Sequence, residues 1–234
     1  MKVYCVVCLL SLLLVPLLAA EVNVKHEEKK IVLPNKSILL LHSIVGTPDQ
    51  NQNKGDIVLL HGAKFSSTTW EKLGTISILV QEGYRVISPD LPGGNGGKTI
   101  LDGEEDAPEK ILNAILLSYS VTRPILLSPS MSGRYSLTYL IKYPNVVRAY
   151  IPIAPTIPPL FNVSRANAVN IYGFPLLVIW GQNDTLGRER SKIFNDFKGN
   201  KVLLEIPRAS HPCYLDEPGI FHSALLSFLK DDVK

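Results

Sequence analysis

The strongest constraint on this chain is a repeated alternation. Short runs that are almost wholly apolar are each followed by a stretch of helical spacing. Asp56–Leu60, Tyr84–Ser88, Pro124–Ser128, Val147–Ile153, Leu176–Trp180 and Lys201–Ile206 have strand character. Between or after them, Thr68–Glu82, Lys110–Val121, Met131–Tyr143, Arg188–Phe197 and Gly219–Lys230 read as helices. In the first of these, Trp70, Leu73, Ile76, Leu79 and Val80 fall near a helical repeat. A strand apolar on nearly every residue must be covered on both faces, and intervening helices supply that cover. The fold class is therefore α/β: a mostly parallel sheet with helices on both faces. Ser37–His42 reads as an early strand within an otherwise polar, mixed region, residues 21–55, whose end at 47–55 is rich in turn formers. The chain has 234 residues, 46% of them hydrophobic, enough for one sizeable core. No linker divides residues 21–234, which read as one domain.

Residues 1–20 stand apart. Lys2 is the only charge before Glu21, and residues 3–20 form an apolar run ending in Ala19-Ala20. A basic start, an apolar middle and a small-residue end make a signal peptide, with cleavage expected after Ala20. The alternative is a signal anchor, in which residues 3–20 hold a single-pass protein in the membrane. Either route leads to the secretory pathway and gives meaning to three sequons, at Asn35, Asn162 and Asn183. Cys5 and Cys8 lie in the leader, so Cys213 alone would remain and no disulfide framework is available. The formal net charge of +3, with scattered Lys and Arg, lacks the basic stripe of a nucleic-acid binder.

In open parallel sheets, ligands bind beyond the carboxyl ends of the strands. The residues at those ends include His61-Gly62-Ala63, Asp90, Ser130, Asp184 and His211. Ser130 lies in Ser128-Pro-Ser-Met-Ser-Gly133, between a strand and a helix. This is the setting of a nucleophile elbow, although serines 128 and 132 stand where glycine is usual. A Ser-rich turn before a helix is also a common N-cap. A serine hydroxyl needs a base, and the base needs a carboxylate to orient it. Asp184 and His211 follow in the order Ser, acid, His, and no other histidine lies between Ser130 and His211. His222, inside the last helix, reads as an ordinary surface or core side chain. The backbone N–H groups of Ala63 and Met131 are the expected oxyanion donors.

Gly93-Gly-Asn-Gly-Gly-Lys-Thr99 imitates a phosphate-binding loop. The pattern requires glycine at position 92, which is Pro92, and the segment after it is acidic without helical spacing. A flexible glycine-rich loop at the sheet edge is the better reading.

His61–Trp70, Asp90–Gly93, Leu127–Gly133 and Ser210–Asp216 together resemble the family of α/β-hydrolase domain-containing protein 14, in its A and B forms, over about residues 31–230. The N-terminal apolar segment is closer to the membrane-associated A form. The resemblance implies a hydrolase with Ser130 as nucleophile, Asp184 as acid and His211 as base. It also makes the Ser-flanked elbow a family trait. The B form is associated with ester hydrolysis and with moving acetyl groups from protein lysines to coenzyme A. The expected chemistry is acyl transfer on a small acyl substrate, with no metal or cofactor required. About twenty residues separate the strand ending near Ile153 from the next, too few for a large lid. A silent binding protein on the same fold, or a nucleotide-dependent enzyme using Lys98, are the competing expectations.

Overall fold

The computed structural model describes residues 22–49, 52–143, 146–159, 161, 173–197 and 199–233. The leader at 1–20 and the sequon asparagine Asn162 lie outside the described residues. The strands are β1 (Asn23–Val32), β2 (Ile38–Thr47), β3 (Asp56–Leu59), β4 (Arg85–Pro89), β5 (Ile100–Asp102), β6 (Ile125–Pro129), β7 (Ala149–Ile153), β8 (Leu176–Gly181) and β9 (Lys201–Ile206). The helices are α1 (Ser67–Lys72), α2 (Thr75–Gln81), α3 (Pro108–Ser118), α4 (Gly133–Lys142), α5 (Thr185–Ser191), α6 (Cys213–Asp216) and α7 (Pro218–Asp231).

All described strands join one sheet, in the order β1-β2-β4-β3-β6-β7-β8-β9, with β5 paired to β2. From β4 to β9 every pairing is parallel. β1, β4 and β5 pair antiparallel with β2.

Side chains along each central strand divide by the period of two. Val58, Leu126, Tyr150, Leu176 and Val178 face a core closed by α3 and α4. Ile57, Leu59, Ile125, Leu127, Ile151, Leu177 and Ile179 face the opposite core, closed by α1, α2 and α7. The helices bring Ile111, Leu112 and Leu140 to the first layer, and Ile76, Leu79, Phe221 and Leu225 to the second. Each such side chain contributes about 1.5–3 kcal/mol by leaving water.

Several local features differ from the sequence expectation; the helix expected over Arg188–Phe197, for one, begins at Thr185 on its Asp184 cap and ends at Ser191. β1 is an edge strand with a central run of charged residues, Glu27–Lys30, and low apolar content; such charge protects a sheet edge and hides the strand from an apolar-run search. The long helix expected over Thr68–Glu82 breaks at Gly74, whose φ of 79° no helix accommodates, and becomes α1 and α2. β5 is three residues long and exists only as a pairing on β2, so it has no pattern of its own.

Trp70 joins the second core to the sheet's carboxyl rim. It is fully buried, its indole N–H donates to Leu60 O at 2.8 Å, and its ring lies 4.8 Å from that of Tyr214. Trp70→Phe leaves a void and an unsatisfied carbonyl, and should lower stability by about 2–4 kcal/mol. Urea denaturation should show the lower midpoint; a midpoint within error of the parent would refute this role.

Candidate active site

Ser130 follows β6 directly. Its φ is 48°, a left-handed backbone that non-glycine residues seldom adopt, and Ser130–Ser132 then form one 3-10 turn before α4. The sharp turn exposes the hydroxyl at the end of the sheet. Beneath it runs a chain of buried hydroxyls. Ser132 Oγ donates to Pro129 O at 2.7 Å, so it accepts from Ser128 Oγ at 3.0 Å. Ser136 Oγ lies 2.7 Å from Ser128 Oγ and 2.9 Å from Tyr150 OH, and its one proton is shared between Ser128 Oγ and Ser132 O, 3.2 Å away. Burial first, against these hydroxyl contacts, drives the Tyr150 phenol far above its ordinary pKa, which keeps it a donor. The chain ends on the carbonyl of the residue just before Ser130. The Ser128/Ser132 pair was visible in the sequence; Ser136 and Tyr150 carried no signal there, because a helix serine and a strand tyrosine have many ordinary uses.

His211 Nε2 lies 2.8 Å from Ser130 Oγ, and Nδ1 lies 2.5 Å from Asp184 Oδ2. Asp184 is 8% exposed and caps α5, its Oδ1 accepting the Gly187 N–H at 2.9 Å. A side chain at position 187 would collide with Asp184 Oδ2 and with Ala154 Cβ, so glycine is required there. The structure thus brings together the serine, acid and histidine that the sequence singled out. The histidine loop is itself clamped: Asp216 Oδ2 accepts from both Ser210 N–H, at 2.7 Å, and Ser210 Oγ, at 2.5 Å. The Ser210 hydroxyl and amide hold the Asp216 carboxyl below its ordinary pKa.

Ala63 lines a cleft of about 310 Å³ that also contains Ser130 and His211. Met131 N–H sits in the first turn after Ser130, while the Met131 side chain packs into the first core. Among the described residues, neither the Ala63 nor the Met131 N–H is taken by a backbone acceptor.

The glycine-rich loop at 93–97 supports the Ala63 loop. Asn95 N–H donates to Ala63 O at 2.7 Å, and a Cβ on Gly96 would press within 3.2 Å of the Phe65 backbone. The glycines allow two backbones to meet; the expected flexible edge loop is a buttress instead. Asp90 ties this region together. It is buried, accepts from Ser67 N–H and Lys98 N–H at 2.7 Å each, and lies 3.2 Å from His42 Nδ1. Burial alone would raise the Asp90 carboxyl; the Lys98 and Ser67 N–H groups outweigh it and hold the pKa below the ordinary value. His61 Nδ1–H donates to Gly62 O at 2.9 Å, and Nε2 accepts the Leu91 N–H at 2.7 Å. His61 is therefore neutral and links the β3 and β4 loops.

The remaining singled-out residues lie off the chemistry. Asn35 and Asn183 are exposed; their amide groups donate to Glu104 O at 2.9 Å and Arg208 O at 3.1 Å. Asn183 is adjacent in sequence to the buried Asp184 but points outward. Cys213 is free and buried, with its thiol pushed up to about 12 by burial and then by the Asp184 charge, so it is no rival nucleophile. His222 Nε2 pairs with Thr75 Oγ1 at 2.9 Å, a packing role. Among the described residues, no helix is long and apolar enough to cross a membrane.

The sequence pattern of the alpha/beta hydrolase fold matches residues 55–174. ABHD14B of Homo sapiens, a protein named for protein-lysine deacylation, is 32% identical over 211 residues, 89% of this chain and 97% of that one. ABHD14A of Mus musculus is 36% identical over 184 residues, 78% of this chain and 73% of that one. Among solved structures, a CIB-like hydrolase from Thermoplasma acidophilum superposes with a TM-score of 0.74 at 21% identity, covering 89% of this chain and all of that one. Naproxen esterase from Bacillus subtilis gives 0.70 at 16%, covering 88% and 92%. These structures share the fold.

The neutral His61 has a consequence for pH. Burial holds its pKa below the ordinary 6.5, against the opposing Gly62 contact and Asp90 charge; burial also lowers that of His222. Well above pH 6.5 folded and unfolded chains bind the same protons at these sites. Below it the unfolded chain binds more, so stability falls as pH falls, by at most roughly 1.4 kcal/mol per pH unit per group. Urea midpoints should drop between about pH 7.5 and pH 5.5, and His61→Gln should shrink the drop. A flat profile in the parent protein would contradict a neutral His61.

Proposed function

This chain belongs to the α/β-hydrolase family, in the group that holds ABHD14A and ABHD14B, and from that premise we propose that it cleaves small acyl esters through an acyl-enzyme on Ser130. The observation that carries the reading is the unbroken hydrogen-bonded line from Asp184 through His211 to Ser130 at the wall of a cleft. His211 Nε2 takes the Ser130 proton as Oγ attacks the acyl carbonyl. Asp184 accepts the Nδ1–H, which fixes the tautomer and stabilises the imidazolium. The Ala63 and Met131 N–H groups receive the oxyanion, a contact worth about 2.7–4 kcal/mol of barrier per donor in related chemistry. The proton on His211 passes to the leaving group as the carbonyl–oxygen bond breaks. Water, activated by the same histidine, then releases the acid and restores Ser130.

Small acyl groups fit best. The cleft is at the lower end of ligand-site volumes, and its walls include Phe65, Ile153 and Tyr214. Only residues 154–175 separate β7 from β8, which supports a site without a large lid. Removal of acyl groups from protein lysines is a second reading, favoured by the likeness to ABHD14B along nearly its whole length. It uses the same acyl-enzyme with an amine as leaving group.

Entry into the secretory pathway through residues 1–20 belongs to the same proposal, supported by the basic, apolar, small-residue order of that segment. Asn35, Asn162 and Asn183 would then be glycan acceptors. Expression of the full chain in animal cells should yield secreted protein beginning at Glu21 whose mobility shifts on deglycosylation. Retention on membranes with Met1 intact would favour the anchor, and cytosolic recovery would remove both.

Ser130→Ala should abolish labelling by a fluorophosphonate probe and lower hydrolysis of 4-nitrophenyl acetate by a factor of at least about 10³. Asp184→Asn should retain the fold and lose about 10⁴ in kcat, through the wrong histidine tautomer. Parent protein that is folded yet never labels, beside a control hydrolase that does, would leave a binding protein on this fold as the better account. An acetyl-lysine peptide losing 42 mass units (roughly one acetyl group) only with Ser130 present would select the second reading.

A further inference from the structure

One charged side chain in the cleft is not used by the chemistry. Lys64 lines the same cleft as Ser130 and His211 and is exposed. Several cations of the surface are engaged, as Arg85 with Asp56, Arg188 with Glu205, and Arg208 with Glu217. Among the described residues, Lys64 has no ion pair and its ammonium no hydrogen bond. No carboxylate lines the cleft to neutralise it. The nearby acid, Asp184, is sealed and committed to His211 and Gly187.

The backbone that carries Lys64 is fixed. Ala63, its neighbour, is pinned through Asn95, Phe65 N–H returns to Gly62 O at 3.0 Å, and Gly96 packs against the Phe65 backbone. The side chain thus starts one residue from the expected oxyanion donor, on a loop that cannot drift. The cleft wall combines apolar residues, among them Ile153 and Tyr214, 1% and 2% exposed, with the exposed Lys64. A neutral acyl group is suited to the apolar wall and a charged leaving group to the exposed ammonium.

We propose that Lys64 makes this site selective for acyl esters whose leaving group is anionic: a compact neutral acyl part joined to an alcohol that bears a carboxylate or phosphate. The proposal rests on the acyl-transfer reading above and adds the substrate class. The chemistry is unchanged, because the leaving oxygen still takes its proton from His211 while Lys64 holds the negative charge beyond it.

The test uses two acetyl esters that differ in one charge, 4-acetoxybenzoate and its methyl ester. For wild type, kcat/KM for the anionic ester should fall relative to the neutral one as salt rises toward about 0.5 M. Lys64→Ala should lower kcat/KM for 4-acetoxybenzoate about two- to fivefold and leave the methyl ester unchanged, the size expected of an exposed ion pair. Lys64→Glu should lower it further, and Lys64→Arg should keep the preference. The ratio between esters is the readout, so a variant that is partly misfolded lowers both rates and still reports. If the methyl ester is turned over in a Ser130-dependent way and the ratio ignores Lys64, the proposal is wrong and the acyl-transfer reading stands. If wild type turns over neither ester, that reading falls and takes the proposal with it.

Discussion

Everything at the site depends on the parallel pairing of β3, β6, β7, β8 and β9. Parallel strands deliver all their carboxyl ends to one rim, and here the hydrogen-bond ladder continues past the strands into the loops. Leu60 N–H bonds Leu127 O, Ala154 N–H bonds Ile179 O, Gln182 N–H bonds Ile206 O, and Asn183 N–H bonds Ala209 O. Thr156 N–H reaches Ser130 O itself at 2.8 Å. The loops bearing Ala63, Ser130, Asp184 and His211 are therefore extensions of the sheet. A one-residue slip in any pairing would turn each side chain to the opposite core and unseat its loop at once.

The elbow shows how a small departure in sequence is absorbed. Glycine at its flanks would let strand and helix close together; serine brings a hydroxyl that must be satisfied when buried. In this chain the hydroxyls satisfy one another, in a line from Tyr150 through Ser136, Ser128 and Ser132 to Pro129 O, with Ser132 O as a further acceptor for Ser136. Each buried hydroxyl of the line has a partner, and such chains strengthen cooperatively in a low-dielectric interior. Strand β7, strand β6 and helix α4 are thereby tied to the carbonyl that precedes the positive-φ serine. The strain at Ser130 is held by this network and by the Thr156 contact.

Much of this was legible before any coordinates. The β6 run from Ile125 to Pro129 is apolar on both faces, so its place in the sheet interior follows from burial alone. Ser130, Asp184 and His211 stood out because each follows a strand, in the chain order of the α/β-hydrolase fold. What escaped was structure made by pairing rather than by composition. β1 is as charged as a loop, and β5 is too short for any period. The glycines of residues 93–97 look like a flexible turn because their reason, the approach of Gly96 to Phe65, is tertiary. Lys64 was equally mute: an exposed lysine in a loop has no signature until the cleft beside it is seen.

The unequal exposure of the histidine and its acid sets the polarity of the site. The His211 side chain is 42% exposed and the Asp184 side chain 8%. A buried carboxylate cannot borrow solvent protons or waters, so its oxygens must be met by fixed donors. Gly187 N–H meets one and the His211 ring meets the other. Asp184 can only accept, so Nδ1 must carry the proton and Nε2 is left with its lone pair toward Ser130. The direction of proton transfer is thus decided by burial at the far end of the line, and Gly187 is essential because any side chain there would occupy the space of the carboxylate.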